Sequence, residues 1–229
     1  MTMRRASVII PLYNRGSIVP EAIESVLAQT GVDVEVVVVD DHSTDASLAV
    51  VEQLAGQDSR IVVDSLAANG GPAVARNRAF ELATHDVITF LDSDDLMPPD
   101  RLTRQIDVLE SHPNSVVTGL QEIIVQEGVT PPETLLGDIE LGGVSPYIMS
   151  MCATRETFDH LGRFDVSLRI GEDLDYLFRC QALGIPVVKL DETVVYRRVF
   201  GDNLVNDSVG VRIALLRAVR RHKPSFENP

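Results

Sequence analysis

Tryptophan is absent from this 229-residue sequence, cysteine occurs only twice, and no apolar run is long enough to span a membrane. Cys152 and Cys180 are too few and too far apart for a disulfide framework or a zinc site, and such sparse usage is typical of a reducing compartment. The apolar positions Val8 to Leu12 are interrupted by Pro11 and are too few for a signal peptide. We therefore expect a soluble, cytoplasmic protein without a transmembrane segment.

Positive charge is also scarce. The chain has 20 lysine and arginine residues against 34 aspartate and glutamate residues, which gives a formal net charge of -14. This balance argues against an extended nucleic-acid-binding surface, although it leaves room for a local basic pocket. With 45% hydrophobic residues the chain can bury a substantial core, and no repeat or linker is visible. We expect one continuous domain over 1–229 and no nucleic-acid partner.

The first half of the chain alternates short apolar runs with helical patterns. A continuous β-branched run such as 34–39 is typical of a strand that is covered on both faces of a parallel sheet. The apolar runs lie at 7–11, 34–39, 61–63 and 87–91, and the helical patterns at 18–29, around 48–54, at 72–83 and at 101–111. Four such units predict an α/β fold with a mostly parallel, Rossmann-like sheet flanked by helices.

The second half is less regular. Residues 128–146 have no periodicity and are predicted to form a long loop, a length that is usually functional or mobile. A basic amphipathic helix is predicted over 211–222, and it is either a solvated face or a contact surface for an anionic membrane or a partner. The remaining predictions are one or two strands over 115–125, helices over 154–161 and 173–183, and strands over 187–190 and 193–197.

Three carboxylates crowd the end of the apolar run 87–91, at Asp92, Asp94 and Asp95. Two unit charges about 4 Å apart repel by roughly 4 kcal/mol at an effective dielectric constant of about 20. A divalent cation offsets that repulsion, and oxygen ligands favour a hard ion such as Mg²⁺ or Mn²⁺. The alternative is a turn or a helix cap, because aspartate bonds its own backbone there. This segment alone supports both interpretations equally.

A second acidic pair follows the run 34–39. At a strand end in a parallel sheet, Asp40 and Asp41 can accept hydrogen bonds from a base or a ribose hydroxyl. Helix capping is the alternative, but Ser43, Thr44 and Asp45 can cap the next helix without them. We therefore predict ligand contact for Asp40 and Asp41.

Two further segments are candidates for anion binding and for proton transfer. The turn Asn69-Gly70-Gly71 precedes a helix that carries Arg76. Glycines let backbone amides approach a ligand, and a guanidinium suits phosphate oxygens, although an ordinary capped helix is the alternative. Glu172 and Asp173 head another helix, where the macrodipole stabilises acids. A carboxylate there could also act as a general base towards a hydroxyl.

Taken together, these segments resemble the family 2 glycosyltransferases of the GT-A fold. The matching motifs occur in the family's order and cover about 7–197. They are Val8-Ile9-Ile10-Pro11-Leu12-Tyr13-Asn14, Val38-Val39-Asp40-Asp41-His42-Ser43-Thr44-Asp45, Asn69-Gly70-Gly71 with Ala75-Arg76-Asn77, Phe90-Leu91-Asp92-Ser93-Asp94-Asp95, and Phe164-Asp165 with Gly171-Glu172-Asp173 and Arg179. Each motif is weak alone, but their order is specific for the family, though much less for the sugar.

The resemblance implies a single GT-A domain. Its nucleotide-sugar-binding half would span about 7–110, its acceptor and catalytic half about 111–200, and a C-terminal basic helix and tail 203–229. The activity implied is inverting transfer of one sugar from a nucleotide-diphospho-sugar, of the UDP or dTDP type, to an acceptor hydroxyl. The cofactor implied is Mn²⁺ or Mg²⁺.

The same resemblance implies roles for individual residues. Asp173 is expected to be the general base, with Glu172 as its substitute. Asp94 is expected to bind the metal together with Asp92, and Asp95 only to support them. Contacts with the nucleotide-sugar are expected from Pro11, Tyr13, Asn14, Asp40, Asp41, Gly71, Arg76, Asp92 and Ser93.

The sequence departs from the family pattern in three places. His42 occupies a position that is commonly glycine. The Gln-x-x-Arg-Trp motif of processive members is absent, which favours transfer of a single sugar. No histidine directly follows the last predicted strand, so a late metal ligand is expected from Asp202, Asn203 or water. Arg197 and Arg198 either steady phosphate there or form a solvated strand end.

Three other functions fit parts of the pattern. A sugar-phosphate nucleotidyltransferase also combines an α/β sheet with acids and a metal. A phosphatase with an Asp-x-Asp nucleophile is disfavoured, because that nucleophile normally ends the first strand whereas these acids end the fourth. A catalytically inactive nucleotide-sugar-binding protein would fit the missing late histidine.

Overall fold

The four apolar runs of the first half form parallel strands in the computed structural model, which describes residues 4–130, 147–168 and 171–200. They are β1 (Arg5–Leu12), β2 (Asp33–Asp40), β3 (Ile61–Ser65) and β4 (Val87–Phe90). The valines of β2 are all buried, because helices cover both faces of the sheet at this point. The predicted α/β fold with a mostly parallel sheet is confirmed.

Helices cover the two faces of the sheet. In chain order they are α1 (Val19–Leu27), α2 (Ser47–Ala55), α3 (Pro72–Leu82), α4 (Arg101–Ser111), α5 (Arg155–Leu161) and α6 (Glu172–Ala182). Successive strand residues point to opposite faces, so Val8 and Ile9 contribute to two separate cores. Val8 belongs to the core that α1, α2 and α4 cover, and Ile9 to the core that α3, α5 and α6 cover.

Three more strands complete the sheet: β5 (Val116–Val125), β6 (Cys152–Thr154) and β7 (Val187–Val199). The strand order is β3-β2-β1-β4-β6-β5-β7, with β6 antiparallel to both of its neighbours and β7 parallel to β5. Neither β6 nor the 3-10 helix Ile148–Ser150 was expected, because three residues are too few to show a periodic pattern. The two strands predicted over 187–190 and 193–197 form one strand, with a register shift opposite Leu120.

Several predicted segments lie outside the described residues. They are most of the long loop, 131–146, and the basic helix with its tail, 201–229. Within the part that the structure describes, no helix is both long and apolar enough to cross a membrane. Cys152 and Cys180 are buried and free of a disulfide.

The carboxyl ends of the central strands lie side by side. Leu12 at the end of β1 is in register with Asp40 at the end of β2, and β4 lies on the other side of β1. Tyr13 and Asp41 directly follow β1 and β2, and Asp92 follows β4 after one residue, so all three emerge at one edge of the sheet. This is the edge at which open α/β sheets bind their ligands.

Candidate active site

The loop after β4 gives its three carboxylates different partners. Asp92 accepts a hydrogen bond from Arg76 and keeps 31% of its side chain exposed. Asp94 lies 3.4 Å from Arg15 Nε and is 17% exposed. Asp95 is buried, and its Oδ1 accepts a hydrogen bond of 2.8 Å from the Arg198 amide. Asp95 thus fastens this loop to β7, while Asp92 and Asp94 reach the surface.

The three carboxylates of this loop lie close together, and burial together with this closeness raises the pKa of two of them. Burial and the neighbouring Asp92 raise the pKa of Asp94. Burial, Asp94 and Asp92 raise the pKa of Asp95 well above its ordinary value. Both shifts express first the cost of burying a charged carboxylate and then the repulsion between neighbouring carboxylates, and a cation would offset the repulsion.

A divalent metal fits the chemistry of this loop. Asp92 and Asp94 offer carboxylate oxygens, the ligands that Mg²⁺ and Mn²⁺ prefer. The raised pKa of Asp94 indicates that a positive charge nearby would stabilise its carboxylate. Among the described residues, no group of three or more His, Cys, Asp or Glu side chains is arranged to hold a metal ion. Metal binding by Asp92 and Asp94 therefore stays a prediction.

Arg76 on α3 connects this loop to the second half of the chain. Its Nη2 donates to Asp92 Oδ1 at 2.8 Å and its Nη1 donates to Glu172 Oε1 at 2.7 Å. Asp173 Oδ1 lies 3.9 Å from the same Nη1. Burial disfavours the charged guanidinium, but the three carboxylates outweigh burial and raise the pKa of Arg76. Arg76 lies in the site, with its Nη atoms turned to carboxylates.

Glu172 and Asp173 begin α6 and differ in their surroundings. Glu172 is buried and committed to Arg76. Asp173 retains 22% exposure, and its Oδ1 has no hydrogen-bond partner in the described ranges. Burial, followed by the charges of Glu172 and Asp92, raises the pKa of Asp173 to about 8, against the opposing effects of Arg76 and of a main-chain hydrogen bond with Ile148. A carboxylate with this pKa is suited to proton transfer near neutral pH.

Asp41 at the end of β2 is held by the glycine turn. The amides of Gly70 and Gly71 donate to its two carboxylate oxygens at 2.7 and 2.8 Å. Gly71 has a φ of 88°, a conformation that glycine adopts without steric cost. These two amides, which the sequence suggested for a ligand, are therefore occupied by Asp41, and nucleotide contact by Asp41 and Gly71 stays a prediction.

Asp40 is satisfied on one side only. Its Oδ2 accepts a hydrogen bond of 2.9 Å from the Ser43 amide. Its Oδ1 is buried and has no partner within the described part of the chain. An unpaired buried acceptor is costly, so Asp40 is a candidate to accept from a ligand.

The segment after β1 packs on the loop after β2. The Asn14 amide donates to Ser43 Oγ at 3.0 Å, and the Thr44 amide donates to Asn14 Oδ1 at 2.8 Å. The expectation that Ser43 or Thr44 caps α2 is wrong, because both hydroxyls face Asn14. Asp45, the third candidate, does reach the start of the helix: its Oδ1 accepts a hydrogen bond of 2.9 Å from the Ser47 amide. Tyr13 projects from this segment with 45% exposure, and Pro11 lies half-buried beneath it in β1.

His42 explains why glycine is common at its position. Its φ is 60°, in the left-handed region that costs about 1–2 kcal/mol for a residue with a Cβ. The side chain is exposed, so this strain is confined to the backbone of the loop. A glycine would relieve it.

The structure also shows residues that the sequence did not single out. Arg15 reaches Asp94, and Asn77 binds the main chain of Phe164. Both lie within or directly after matched motifs, which was the only available signal. Ser93, a predicted contact, is buried in the loop after β4.

The arginines at the end of β7 are not a solvated strand end. Arg198 donates to the main-chain oxygen of Asp94 and pairs with Glu21. Arg197 is buried and lies over the ring of Tyr147, 4.5 Å from its centroid. Phosphate contact by these arginines stays a prediction, and Asp202 and Asn203 lie outside the described residues.

Comparisons with known proteins identify the family of this chain. The family model described as "Glycosyl transferase family 2" matches residues 7–158. The putative teichuronic acid biosynthesis glycosyltransferase TuaG of Bacillus subtilis is 30% identical over 210 residues, which are 89% of this chain and 80% of TuaG. An uncharacterized glycosyltransferase of Nostoc sp. is 33% identical over 213 residues, 87% of this chain and 66% of that protein. The succinoglycan biosynthesis protein ExoO of Rhizobium meliloti is 34% identical over 194 residues, 77% and 55% of the two chains.

Solved structures share the fold. S. aureus TarS 1-349 superposes with a TM-score of 0.69 at 25% identity, over 85% of this chain and 60% of TarS 1-349. Its complex with UDP-GlcNAc superposes with a TM-score of 0.73 at 22% identity, over 94% and 66% of the two chains. The chain spans between 45% and 66% of the length of the first three curated relatives.

Proposed function

The chain belongs to glycosyl transferase family 2, and we propose that it transfers one sugar, with inversion, from a nucleotide-diphospho-sugar to a hydroxyl group of an acceptor. The observation that carries the proposal is the network in which Arg76 joins Asp92 at a strand end to Glu172 and Asp173 on α6. It puts carboxylates suited to a metal beside a carboxylate suited to proton transfer. Crystal structures of TarS in complex with UDP and with UDP-GlcNAc support a nucleotide-sugar donor, which we propose to be of the UDP or dTDP type.

The nucleoside would bind at the ends of β1 and β2. Tyr13 offers an exposed aromatic face on which a base can stack. Asp40 Oδ1 offers an unpaired acceptor for a base or ribose donor. Asn14, Asp41 and Gly71 fix the surrounding loops through the hydrogen bonds described above, so the pocket would be formed before the donor arrives.

The diphosphate would lie over the loop after β4. Asp94 and Asp92 would hold Mn²⁺ or Mg²⁺ there, and the ion would stabilise the negative charge on the leaving diphosphate. Ser93 lies between these two residues in the chain and is buried, so it would support the donor site from within the loop. Arg15, 3.4 Å from Asp94, places a further positive charge at this edge.

Asp173 would act as the base. The acceptor hydroxyl gives its proton to the partly exposed Asp173 carboxylate, and its oxygen forms a bond to the anomeric carbon on the side opposite the diphosphate. The bond between that carbon and the diphosphate breaks, and the nucleoside diphosphate leaves with the electron pair. Glu172 is less suited to this role, because its side chain is buried and its carboxylate is paired with Arg76.

A donor screen followed by a transfer assay tests the proposal. Nucleotide sugars are added singly with Mn²⁺, and a donor at about a hundred times its Kd should stabilise the fold by about 2.7 kcal/mol. The same donor should then release its nucleoside diphosphate when an acceptor is present, with inversion visible by NMR of the product. Release of pyrophosphate from a nucleoside triphosphate and a sugar phosphate would indicate a nucleotidyltransferase instead. Binding without transfer to any acceptor would indicate an inactive binding protein.

The cellular location belongs to the same proposal. Cys152 and Cys180 are both buried and unpaired, which fits the cytoplasmic location that we propose.

A further inference from the structure

Asn77 on α3 binds the main chain of a segment far away in the sequence. Its Nδ2 donates to the Phe164 oxygen at 2.9 Å, and the Phe164 amide donates to its Oδ1 at 2.8 Å. The two residues are 87 positions apart. The side-chain amide thus pairs with both main-chain groups of Phe164 as a peptide group would, which fixes the position of this segment relative to α3.

Phe164 in turn packs against α6 and so helps to fix the position of that helix. Its ring stacks on Tyr176 with centroids 4.2 Å apart and meets Phe90 edge-on at 5.5 Å. The Tyr176 hydroxyl donates to the Gly162 oxygen, so α6 contacts the same segment twice. Tyr176 lies about one helical turn beyond Asp173 and on the same side of α6. A displacement of Phe164 would therefore also displace the turn of α6 that carries Asp173.

Arg76, the neighbour of Asn77 on α3, contacts the start of α6. It pairs with Glu172 while its other nitrogen pairs with Asp92. Successive residues of a helix point about 100° apart, so Arg76 and Asn77 reach two different parts of the second half. Arg76 contacts the acids of α6, and Asn77 contacts the segment that precedes it.

We infer that Asn77 is a positioning residue for Asp173: it sets the distance between the base on α6 and the strand ends of the first half. The inference rests on the proposed function in taking Asp173 as the base. Asn77 acts through Phe164, whose main chain it binds, and through Tyr176, on which the Phe164 ring stacks.

Two substitutions test this inference. Asn77→Ala removes both hydrogen bonds. Asn77→Asp keeps the shape and the acceptor for the Phe164 amide but places a carboxylate oxygen against the Phe164 carbonyl. Arg78→Ala is the matched control, because Arg78 lies on the same helix and, among the residues that the structure describes, its ion pairs are with Asp64 and Glu81 alone.

Turnover and donor binding should separate in the Asn77 variants. A displacement of the base by about 1 Å can lower kcat by about 100-fold, while the Kd for UDP, measured by calorimetry with Mn²⁺, stays at the wild-type value. Arg78→Ala should change neither quantity. An unchanged kcat in a folded Asn77 variant would overturn the inference. So would a loss of UDP affinity that matches the loss of kcat, because it would mean general damage to the fold.

Hydrogen exchange gives a readout that does not depend on transferase activity. Asn77→Ala and Asn77→Asp should speed amide exchange in α6 and leave β1, β2 and β4 protected as in the wild type. If the wild type transfers no sugar but this pattern appears, the proposed function fails and the positioning by Asn77 stands. Unchanged exchange in α6 would overturn the positioning itself.

Discussion

The strand-end acids of the first half and the acids that begin α6 lie at one site but are held in different ways. Asp41 receives two main-chain amides from the glycine turn. Asp173 has an oxygen without a hydrogen-bond partner among the described residues and faces other carboxylates across Arg76. Main-chain amides fix an acid in place, whereas burial beside like charges makes an acid ready to take up a proton. The first arrangement suits binding and the second suits proton transfer.

Asp173→Asn acts on the second arrangement and has the largest expected effect. Loss of a general base lowers turnover by about 10²- to 10⁴-fold, and the amide is as large as the carboxylate, so UDP binding should persist. Glu172→Gln is the matched control, and a smaller loss is expected because Glu172 is committed to Arg76. Steady-state kinetics and calorimetry measure the two effects. A larger loss in Glu172→Gln would exchange the roles of the two acids.

Titration of Asp173 should change turnover and the free energy of unfolding in opposite directions as the pH rises. Turnover should rise with pH up to about 8, because the base works in its deprotonated form and burial raises the pKa of Asp173 to about 8. The folded protein binds this proton more tightly than the unfolded chain, whose aspartate pKa is about 4. The free energy of unfolding of the ligand-free protein should therefore fall as pH rises between these values. Urea denaturation of wild type and Asp173→Asn checks this, and an equal slope in both would contradict it.

Asp94→Asn tests whether the loop after β4 binds a cation, with the next largest effect. A metal supplies several kcal/mol of charge stabilisation, so we expect transfer to fall by about 100-fold or more and Mn²⁺ to lose its influence on UDP affinity. Asp95→Asn is the control, since the asparagine oxygen can still accept from the Arg198 amide. It should stay close to the wild-type rate. If Asp95→Asn abolished Mn²⁺ dependence and Asp94→Asn did not, the metal ligand would be wrongly assigned.

Asp41→Asn tests the first arrangement through stability. Asparagine has one oxygen, so one glycine amide would face an NH₂ group, and the free energy of unfolding should fall by about 2–3 kcal/mol. Asp40→Asn is the matched variant. Its NH₂ group can replace the unpartnered Oδ1 while its oxygen still accepts from the Ser43 amide, so stability should be kept or improved. Equal destabilisation of the two variants in urea would show that the amide contacts of Asp41 are not what distinguishes them.

The sequence predicted the first half of the fold better than the second, for a physical reason. Strands buried on both faces are continuous apolar runs, and their polar ends mark the sheet edge, so β1 to β4 and Asp40, Asp41 and Asp92 could be located. The contacts that organise the site join distant segments and leave no local pattern. Arg76 with Glu172 is one such contact, at a separation of 96 residues.

The same limit explains the errors. Ser43 and Thr44 have the right chemistry for a helix cap, but Asn14 from another strand end competes for both hydroxyls. β6 has three residues, so neither period nor length could reveal it, although it joins β4 to β5. Local propensity is a weak guide wherever a tertiary contact offers the same groups a better partner.

His42→Gly has the smallest expected effect. It tests whether the backbone of the loop after β2 is strained, even though most carboxylate oxygens of this loop have hydrogen-bond partners. At a φ of 60° the histidine carries about 1–2 kcal/mol of strain, and glycine loses about 0.5–1 kcal/mol through its greater freedom in the unfolded chain, so a net gain of up to about 1.5 kcal/mol is expected. His42→Ala is the control, because alanine keeps the strain and removes only the exposed ring. Thermal and urea unfolding compare the three proteins. A gain in His42→Ala equal to that in His42→Gly would locate the cost in the imidazole, and the backbone of this loop would then be relaxed.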